Sequence, residues 1–315
     1  MSDAFVDCWF LTGATAVGKT AVGIALAQRL GAEIISLDSM AIYRGMDIGT
    51  AKPSAAERAA VPHHLLDIVD PADEFSVAQY VDAAAQVVAD IRSRGREMLF
   101  VGGTPLYLKS LLRGLFEGPP ADWQLREEIE EEIQQVGQQS LHERLRQVDP
   151  VAAANIHPHD TRRLIRALEV YRATGEPISH QQLQFEEGLP AEECRVFVLR
   201  RGREELHARI EARVNGMIAG GLVDEVRRLT SEGRGLGRTA RQAVGYREAL
   251  DFLTGEYAHD EMVARIKART RRFAKRQGTW FRSLSECRFV DIAGDVDANA
   301  VARRIVQMAE LPRER

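Results

Sequence analysis

Five short apolar runs bounded by turn residues are spaced along the chain: Trp9–Thr12, Ile34–Leu37, Met98–Gly102, Val196–Leu199 and Phe289–Ile292. Between them lie segments whose apolar positions recur three and four residues apart. That alternation predicts βα units around a mostly parallel sheet. The rhythm changes after Gly118-Pro119-Pro120. From Trp123 to about Ser179 no run resembles a strand, and the composition turns to Glu, Gln and Arg with helical periodicity. A helical insertion between the third and fourth strands is therefore expected. Beyond Arg200 the helical pattern resumes, breaks at Gly220-Gly221 and around Gly233–Gly237, and ends in a last short strand. The expected organisation is an α/β core begun by residues 1–119, an all-helical insertion domain at 120–190, and completion of the core by 191–315 with a helical lid and C-terminal region.

The first apolar run leads into Gly13-Ala14-Thr15-Ala16-Val17-Gly18-Lys19-Thr20, and a helical pattern follows from Ala21 to Leu30. This is G-x-x-x-x-G-K-[ST] in the strand-to-helix setting where the pattern has a mechanism, and it predicts a P-loop NTPase-like core. Glycines let the backbone curl so that N–H groups face a phosphate, and the helix dipole adds partial positive charge. Lys19 is placed to reach a terminal phosphate, and the Thr20 hydroxyl to ligate Mg²⁺. The loop does not itself say which phosphate compound is held or what becomes of it.

Composition narrows the picture without settling it. Hydrophobic and charged fractions of 45% and 28% are those of an ordinary globular protein. A formal net charge of −4 argues against wholesale nucleic-acid binding, although local charge decides that question. Cys8, Cys194 and Cys287 lack metal or redox spacing and read as core residues. The acidic Asp3 and the lack of a basic n-region do not resemble a signal peptide, and no apolar run approaches membrane-spanning length. A cytoplasmic monomer without membrane association is expected.

Candidate chemistry clusters at predicted strand ends. Glu33-Ile34-Ile35-Ser36-Leu37 delivers Asp38 and Ser39 beside the P-loop, where open α/β sheets bind ligands. A carboxylate there can bind Mg²⁺ through water, act as a general base, or simply form a turn. The polar, glycine-punctuated segment Gly45–Pro53 suits a binding surface. The third strand ends Phe100-Val101-Gly102-Gly103-Thr104, two glycines and a hydroxyl where motor ATPases place a Walker B aspartate. His63-His64 lacks a third ligand at metal spacing, so structural hydrogen bonding is expected there.

Two basic clusters matter more than net charge. After Asp160, a natural N-cap, Arg162, Arg163 and Arg166 crowd the start of a helix whose apolar stripe is Leu164, Leu168 and Tyr171. Cations there oppose the helix dipole, so either local acids or an external polyanion must relieve them. In Val263–Gln277 seven cations surround the stripe Val263, Ile266, Thr270 and Phe273 with no acid among them, which favours a polyanionic partner. Arg209 and Arg213 lie one turn apart after the fourth strand, as lid arginines or as salt-bridge partners of Glu205 or Glu211.

Taken in order, these segments resemble the bacterial tRNA dimethylallyltransferase (tRNA isopentenyltransferase) family over nearly the whole chain. The resemblance rests on Gly13–Thr20, Ile35–Ser39, Tyr43–Pro53, Pro62–Asp67, Gly102–Tyr107, Arg163–Tyr171, Thr174–Pro177, Gly245–Glu248 and Thr270–Trp280. Ala41 departs from it, since many members carry Gln there. The resemblance implies transfer of a dimethylallyl group from dimethylallyl diphosphate to N6 of the adenosine immediately 3′ of the tRNA anticodon, with Mg²⁺ and without consumption of ATP. It implies that Gly13, Ala14, Thr15, Ala16, Val17, Gly18, Lys19, Thr20 and Arg213 bind the diphosphate, that Thr104 stands by the bridging oxygen, and that Asp38 accepts the amine proton. For the tRNA anticodon stem-loop it implies Ser39, Met40 and Ala41 at the base entrance. Arg126, Arg162, Arg163, Leu164, Ile165, Arg166, Arg241, Gln242, Gly245 and Tyr246 would then lie along flanking nucleotides. Two rivals share much of this pattern: a P-loop small-molecule kinase, and an isopentenyltransferase acting on free adenine nucleotides. The basic clusters favour tRNA over both.

Overall fold

The computed structural model describes residues 3–114, 118–119, 121–182, 188–232 and 234–310. In chain order its elements are β1 (Trp9–Gly13), α1 (Lys19–Leu30), β2 (Ala32–Ser36), α2 (Ala55–Ala60), β3 (His63–His64), α3 (Val77–Ser93), β4 (Glu97–Val101) and α4 (Pro105–Arg113). Then come α5 (Trp123–Val136), α6 (Gln138–Val148), α7 (Pro150–Asn155), α8 (Thr161–Thr174), α9 (Ile178–Gln182) and β5 (Val196–Arg200). The chain closes with α10 (Arg203–Ala219), α11 (Leu222–Ser231), α12 (Arg238–Arg241), α13 (Tyr246–Leu253), α14 (His259–Arg282), β6 (Cys287–Asp291) and α15 (Ala298–Glu310). Pro120 and Gly233, named above as breaks in the pattern, lie outside the described residues.

The chain divides into two units, Met1–Leu112 with Gly188–Arg315, and Arg113–Glu187. In the first, six parallel strands run in the order β3-β2-β4-β1-β5-β6. Alternation along the strands builds both faces, as a period of two requires. Phe10, Ile35 and Phe100 pack on α3 and α4 and on Phe281 of α14. Trp9, Leu11, Ile34 and Leu99 turn the other way, onto Val22 and Leu26 of α1 and Ala302 and Ile305 of α15. A third cluster joins Ile42, Tyr43 and Met46 to α10, α11, α13 and α14. This helical layer covers the segments that follow β1 and β2.

A strand without an apolar run, and a strand that starts earlier than its run, each have a physical reason. The two-residue edge strand β3 pairs His63 and His64 with Ile34 and Ile35, so it is made by backbone bonds and carries no apolar run to reveal it. β6 starts at Cys287, because it follows the register of β5 from Val196 onward. The second unit is all helical: α5 to α9 enclose Ile129, Leu141, Leu145, Leu164, Leu168 and Ile178. Asp122, Asp149 and Asp160 cap α5, α7 and α8, each accepting from a first-turn N–H.

Candidate functional site

β1 feeds directly into the loop Gly13–Thr20. Gly13 has φ of 139°, and a Cβ there would stand 2.5 Å from the Leu199 carbonyl oxygen, so only glycine fits. The Lys19 ammonium donates to the Gly13 and Ala14 carbonyls, at 2.9 Å each. Arg209 Nε donates to the Ala16 carbonyl at 2.9 Å, and Arg201 Nε to that of Val17 at 2.8 Å. With four carbonyls taken by cations, and the N–H groups of Thr15 and Val17 bonded to Gln277 and to the Ala14 carbonyl, the loop offers an anion its remaining N–H groups and those of the first turn of α1. Ala16 and Val17 are buried and contribute backbone alone.

The charge balance points the same way. Burial pushes the Lys19 ammonium down to about 7, Arg213 adds to the fall, and Asp38 opposes it. Arg213 is also lowered by burial, again with Asp38 opposing. Two enclosed cations facing one carboxylate leave an excess of positive charge that a phosphate would neutralise. The salt-bridge alternative for Arg209 and Arg213 is not what forms: Glu205 pairs with Arg201, and Glu211 with Arg271. Arg213 instead reaches the Thr50 carbonyl at 3.5 Å.

Asp38 and Thr104 meet at the ends of β2 and β4. Asp38 Oδ1 accepts the N–H groups of Met40 and Ala41, at 2.9 and 3.3 Å, while Oδ2 has no hydrogen-bond partner among the described residues. The turn reading therefore accounts for one oxygen and leaves the other available for chemistry. Ser39 N–H donates to Thr104 Oγ1 at 3.0 Å, and Thr104 N–H to the Leu37 carbonyl at 3.1 Å. Gly102 permits this meeting, since a Cβ there would lie 2.1 Å from the Leu37 oxygen. Ser39 and Met40 are half-buried and Ala41 is buried, so of these three Ala41 presents no open side chain.

The residues present suit Mg²⁺. Thr20 and Asp38 supply hard oxygen donors, and no group of three or more His, Cys, Asp or Glu side chains gathers among the described residues. Mg²⁺ takes hard oxygen donors of this kind, in company with water and phosphate oxygens. His63 Nδ1 and His64 Nε2 bond the Val61 carbonyl and Glu33, each at 2.7 Å, as structural histidines do.

The segment Gly45–Pro53 is braced by Glu225, which has no role in the sequence analysis, together with Tyr246 and Lys52. The buried Glu225 carboxylate accepts N–H bonds from Asp47, Ile48 and Gly49, at 3.0, 2.8 and 3.2 Å, and the Tyr246 hydroxyl at 2.5 Å. Burial and Glu225 together push the Tyr246 phenol far up, keeping it a donor. Lys52 is enclosed, donating to the Tyr43 carbonyl at 2.6 Å, to Asp47 at 2.8 Å and to Asp67. Burial alone would raise the Asp67 carboxyl, but bonds from Lys52 and Arg58 hold it below the ordinary range. Only their polar character inside an apolar surround marks Glu225 and Arg201, and burial cannot be read from one chain's residues.

Within the helical unit the predicted RNA contacts divide. Leu164 and Ile165 have their side chains buried in its core, between the exposed Arg162 and Arg163 and the half-buried Arg166. Glu169, 1% exposed, takes both Arg126 (2.9 Å) and Arg166 (2.6 Å), and also the Asp122 N–H at 2.7 Å. Arg163 is exposed and pairs with Asp160 at 3.2 Å. Local acids thus relieve much of the conflict at the start of α8, with Arg162 and Arg163 left on the surface.

In the first unit, Arg241 is exposed and Gln242 half-buried, whereas Gly245 and Tyr246 are buried, the Tyr246 hydroxyl bracing Glu225. Along α14, Arg265, Arg269 and Arg271 pair with Glu261, Glu248 and Glu211. Lys267, Arg272, Lys275 and Arg276 have no acidic partner among the described residues, and the last three are exposed. The same helix buries Gln277, whose side chain spans from Thr15 to Gly103.

Known proteins bear on this arrangement. The family model described as IPP transferase matches residues 41–284. The chain is 50% identical over 306 residues to a tRNA dimethylallyltransferase of Rhodopirellula baltica, covering 93% of this chain and 92% of that one. It is 47% identical to the tRNA dimethylallyltransferase of Syntrophobacter fumaroxidans, over 94% and 86% of the two chains. Among solved structures, the tRNA isopentenylpyrophosphate transferase of Bacillus halodurans matches with TM-score 0.69 at 40% identity, covering 96% of this chain and 97% of that one. A eukaryotic dimethylallyltransferase acting on tRNA matches with TM-score 0.77 at 27% identity, over 95% and 77%. With a P-loop at the end of β1, and relatives of this similarity over nearly its full length, the chain belongs to the IPP transferase family, whose curated members here are tRNA dimethylallyltransferases.

Proposed function

We propose that the chain transfers a dimethylallyl group from dimethylallyl diphosphate to N6 of the adenosine immediately 3′ of a tRNA anticodon. The observation that carries this reading is the pairing of a phosphate cradle with a spare carboxylate oxygen. Lys19, Arg213 and the loop N–H groups concentrate positive charge, and Asp38 Oδ2 is left without a partner beside them. In the reaction the C1–oxygen bond of the donor breaks, diphosphate leaves with the electron pair, and N6 bonds to C1. The N6 proton passes to Asp38. Negative charge grows on the bridging oxygen, where prepositioned donors act most strongly. Thr104 supplies such a donor without adding charge. Mg²⁺ held by Thr20 and phosphate oxygens would add positive charge to the leaving group.

The amine is a weak nucleophile, because its lone pair is delocalised into the ring, so alignment must supply much of the rate. The base must also leave the anticodon-loop stack, at a cost of about a few kcal/mol offset by RNA contacts. Arg162, Arg163, Arg241 and the exposed cations of α14 are the surface groups that support an RNA partner. A tRNA acceptor implies a cytoplasmic location, and no helix among the described residues is long and apolar enough to cross a membrane. A monomer is the proposed state.

Replacing Asp38 tests the assignment. Asp38→Ala is expected to lower kcat by about 10²–10⁴-fold, the usual contribution of a general base, while tRNA affinity holds within about twofold. Undiminished turnover would remove Asp38 from the chemistry. ATP offered in place of the allyl donor should give no phosphoryl transfer; a phosphorylated product would favour the kinase reading.

A further inference from the structure

α14 buries Met262, Ile266, Thr270, Ala274, Gln277 and Phe281 at helical spacing. An amide on such a stripe is anomalous, since an unsatisfied buried amide costs more than any aliphatic substitute. Gln277 is hydrogen-bonded at both ends. Its Oε1 accepts the Thr15 N–H at 2.9 Å, and its Nε2 donates to the Gly103 carbonyl at 2.6 Å. The orientation follows from the partners, oxygen toward N–H and nitrogen toward C=O. Gly103 is fitted to it, since a Cβ there would meet Nε2 at 2.7 Å and the Lys19 ammonium at 3.3 Å.

We infer that Gln277 is a positioning residue that sets the diphosphate loop and the strand end bearing Thr104 in register with one another. This rests on the reading of the loop as the cradle of a diphosphate leaving group. The two segments follow neighbouring strands, β1 and β4, whose ends are bonded through the Gly102 N–H to the Leu11 carbonyl and the Thr12 hydroxyl to the Gly102 carbonyl; Gln277 carries that link one step further, from Gly103 into the loop at Thr15. The amide joins the P-loop to Gly103, the residue before Thr104, so a change in either segment is felt by the other. Gln277 itself touches no reacting atom; it acts through the Thr15 N–H and through Gly103.

The geometry makes a distinctive demand on substitutes. A protonated carboxyl can accept from Thr15 and donate to Gly103, as the amide does. An ionised one has no proton for Gly103, and it would also draw Lys19 away from the loop. Calorimetry with inorganic diphosphate, on the full chain with Mg²⁺, separates these cases without relying on turnover. Gln277→Met, of similar length but unable to make either bond, is expected to weaken diphosphate about tenfold or more while tRNA affinity is kept. Gln277→Glu is expected to bind weakly at about pH 8.5 and to regain affinity, relative to the unaltered chain, as pH falls to about 6 through the range of a buried carboxyl. Recovery within one folded sample cannot come from misfolding. A relative affinity for Gln277→Glu that stays flat with pH, or diphosphate binding by Gln277→Met within twofold of the unaltered chain, would overturn the inference. Failure of the unaltered chain to bind diphosphate at all would instead overturn the reading of the loop.

Discussion

At Lys19, donor binding and proton binding meet. Its ammonium is held at about 7 by burial and by Arg213, so near neutral pH it is only partly charged before an anion arrives. A diphosphate favours the charged form, and binding at about pH 8 should take up a substantial fraction of one proton. Calorimetry with dimethylallyl diphosphate in two buffers of different ionisation heat reads that uptake, and Lys19→Met should abolish it. Uptake unchanged in the variant would assign the proton elsewhere. The sign also bears on stability. The folded pKa lies below the unfolded value, so the unfolded chain binds the extra proton between them, and the cost of burying Lys19 charged is relieved as pH rises from about 7 toward the unfolded value. The P-loop, Asp38 and Thr104 were legible in the sequence because each sits at a strand end in a recognisable motif. Glu225, Arg201 and the bracing role of Tyr246 were not, because a polar residue's burial depends on segments distant in the chain.

Among the elements, α8 shows how one helix divides stability from binding. Arg166 and Arg126 share the buried Glu169, whereas Arg163 pairs with Asp160 at the surface. Arg166→Ala should therefore cost about 1–3 kcal/mol in thermal or urea unfolding, the range for charge-assisted bonds at a buried carboxylate. Arg163→Ala should cost less than about 0.5 kcal/mol, and its effect should fall on tRNA affinity. Equal stability losses would contradict this division. α8 was legible from its N-cap and apolar stripe, but the sign of its arginines' role was not, because Glu169 sits on the same stripe and sequence spacing alone does not show it turning back to them. β3 escaped for the opposite reason: it has register but no pattern. In α11, Glu225→Ala should raise KM for the allyl donor several-fold by releasing the loop that carries the Thr50 carbonyl to Arg213, with tRNA affinity little changed. Glu225→Gln keeps one acceptor and should fall between.

For the whole molecule, net charge and local charge disagree, and the local pattern decides the partner. The chain carries a formal charge of −4, yet α14 alone displays Arg272, Lys275 and Arg276 on its surface without acidic partners among the described residues. Replacing Arg272 and Arg276 together with Ala should reduce the slope of log affinity for tRNA against log salt by about 1.5. An unchanged slope would move the RNA contact off this helix. If the P-loop holds a leaving diphosphate, the bond broken lies on the carbon side of it. Mass spectrometry of tRNA nucleosides after incubation with enzyme, Mg²⁺ and dimethylallyl diphosphate tests it most directly. One dimethylallyl group on N6 of the adenosine 3′ of the anticodon is expected, with an equal amount of diphosphate released. Unmodified tRNA, or a phosphoryl group transferred in its place, would contradict it.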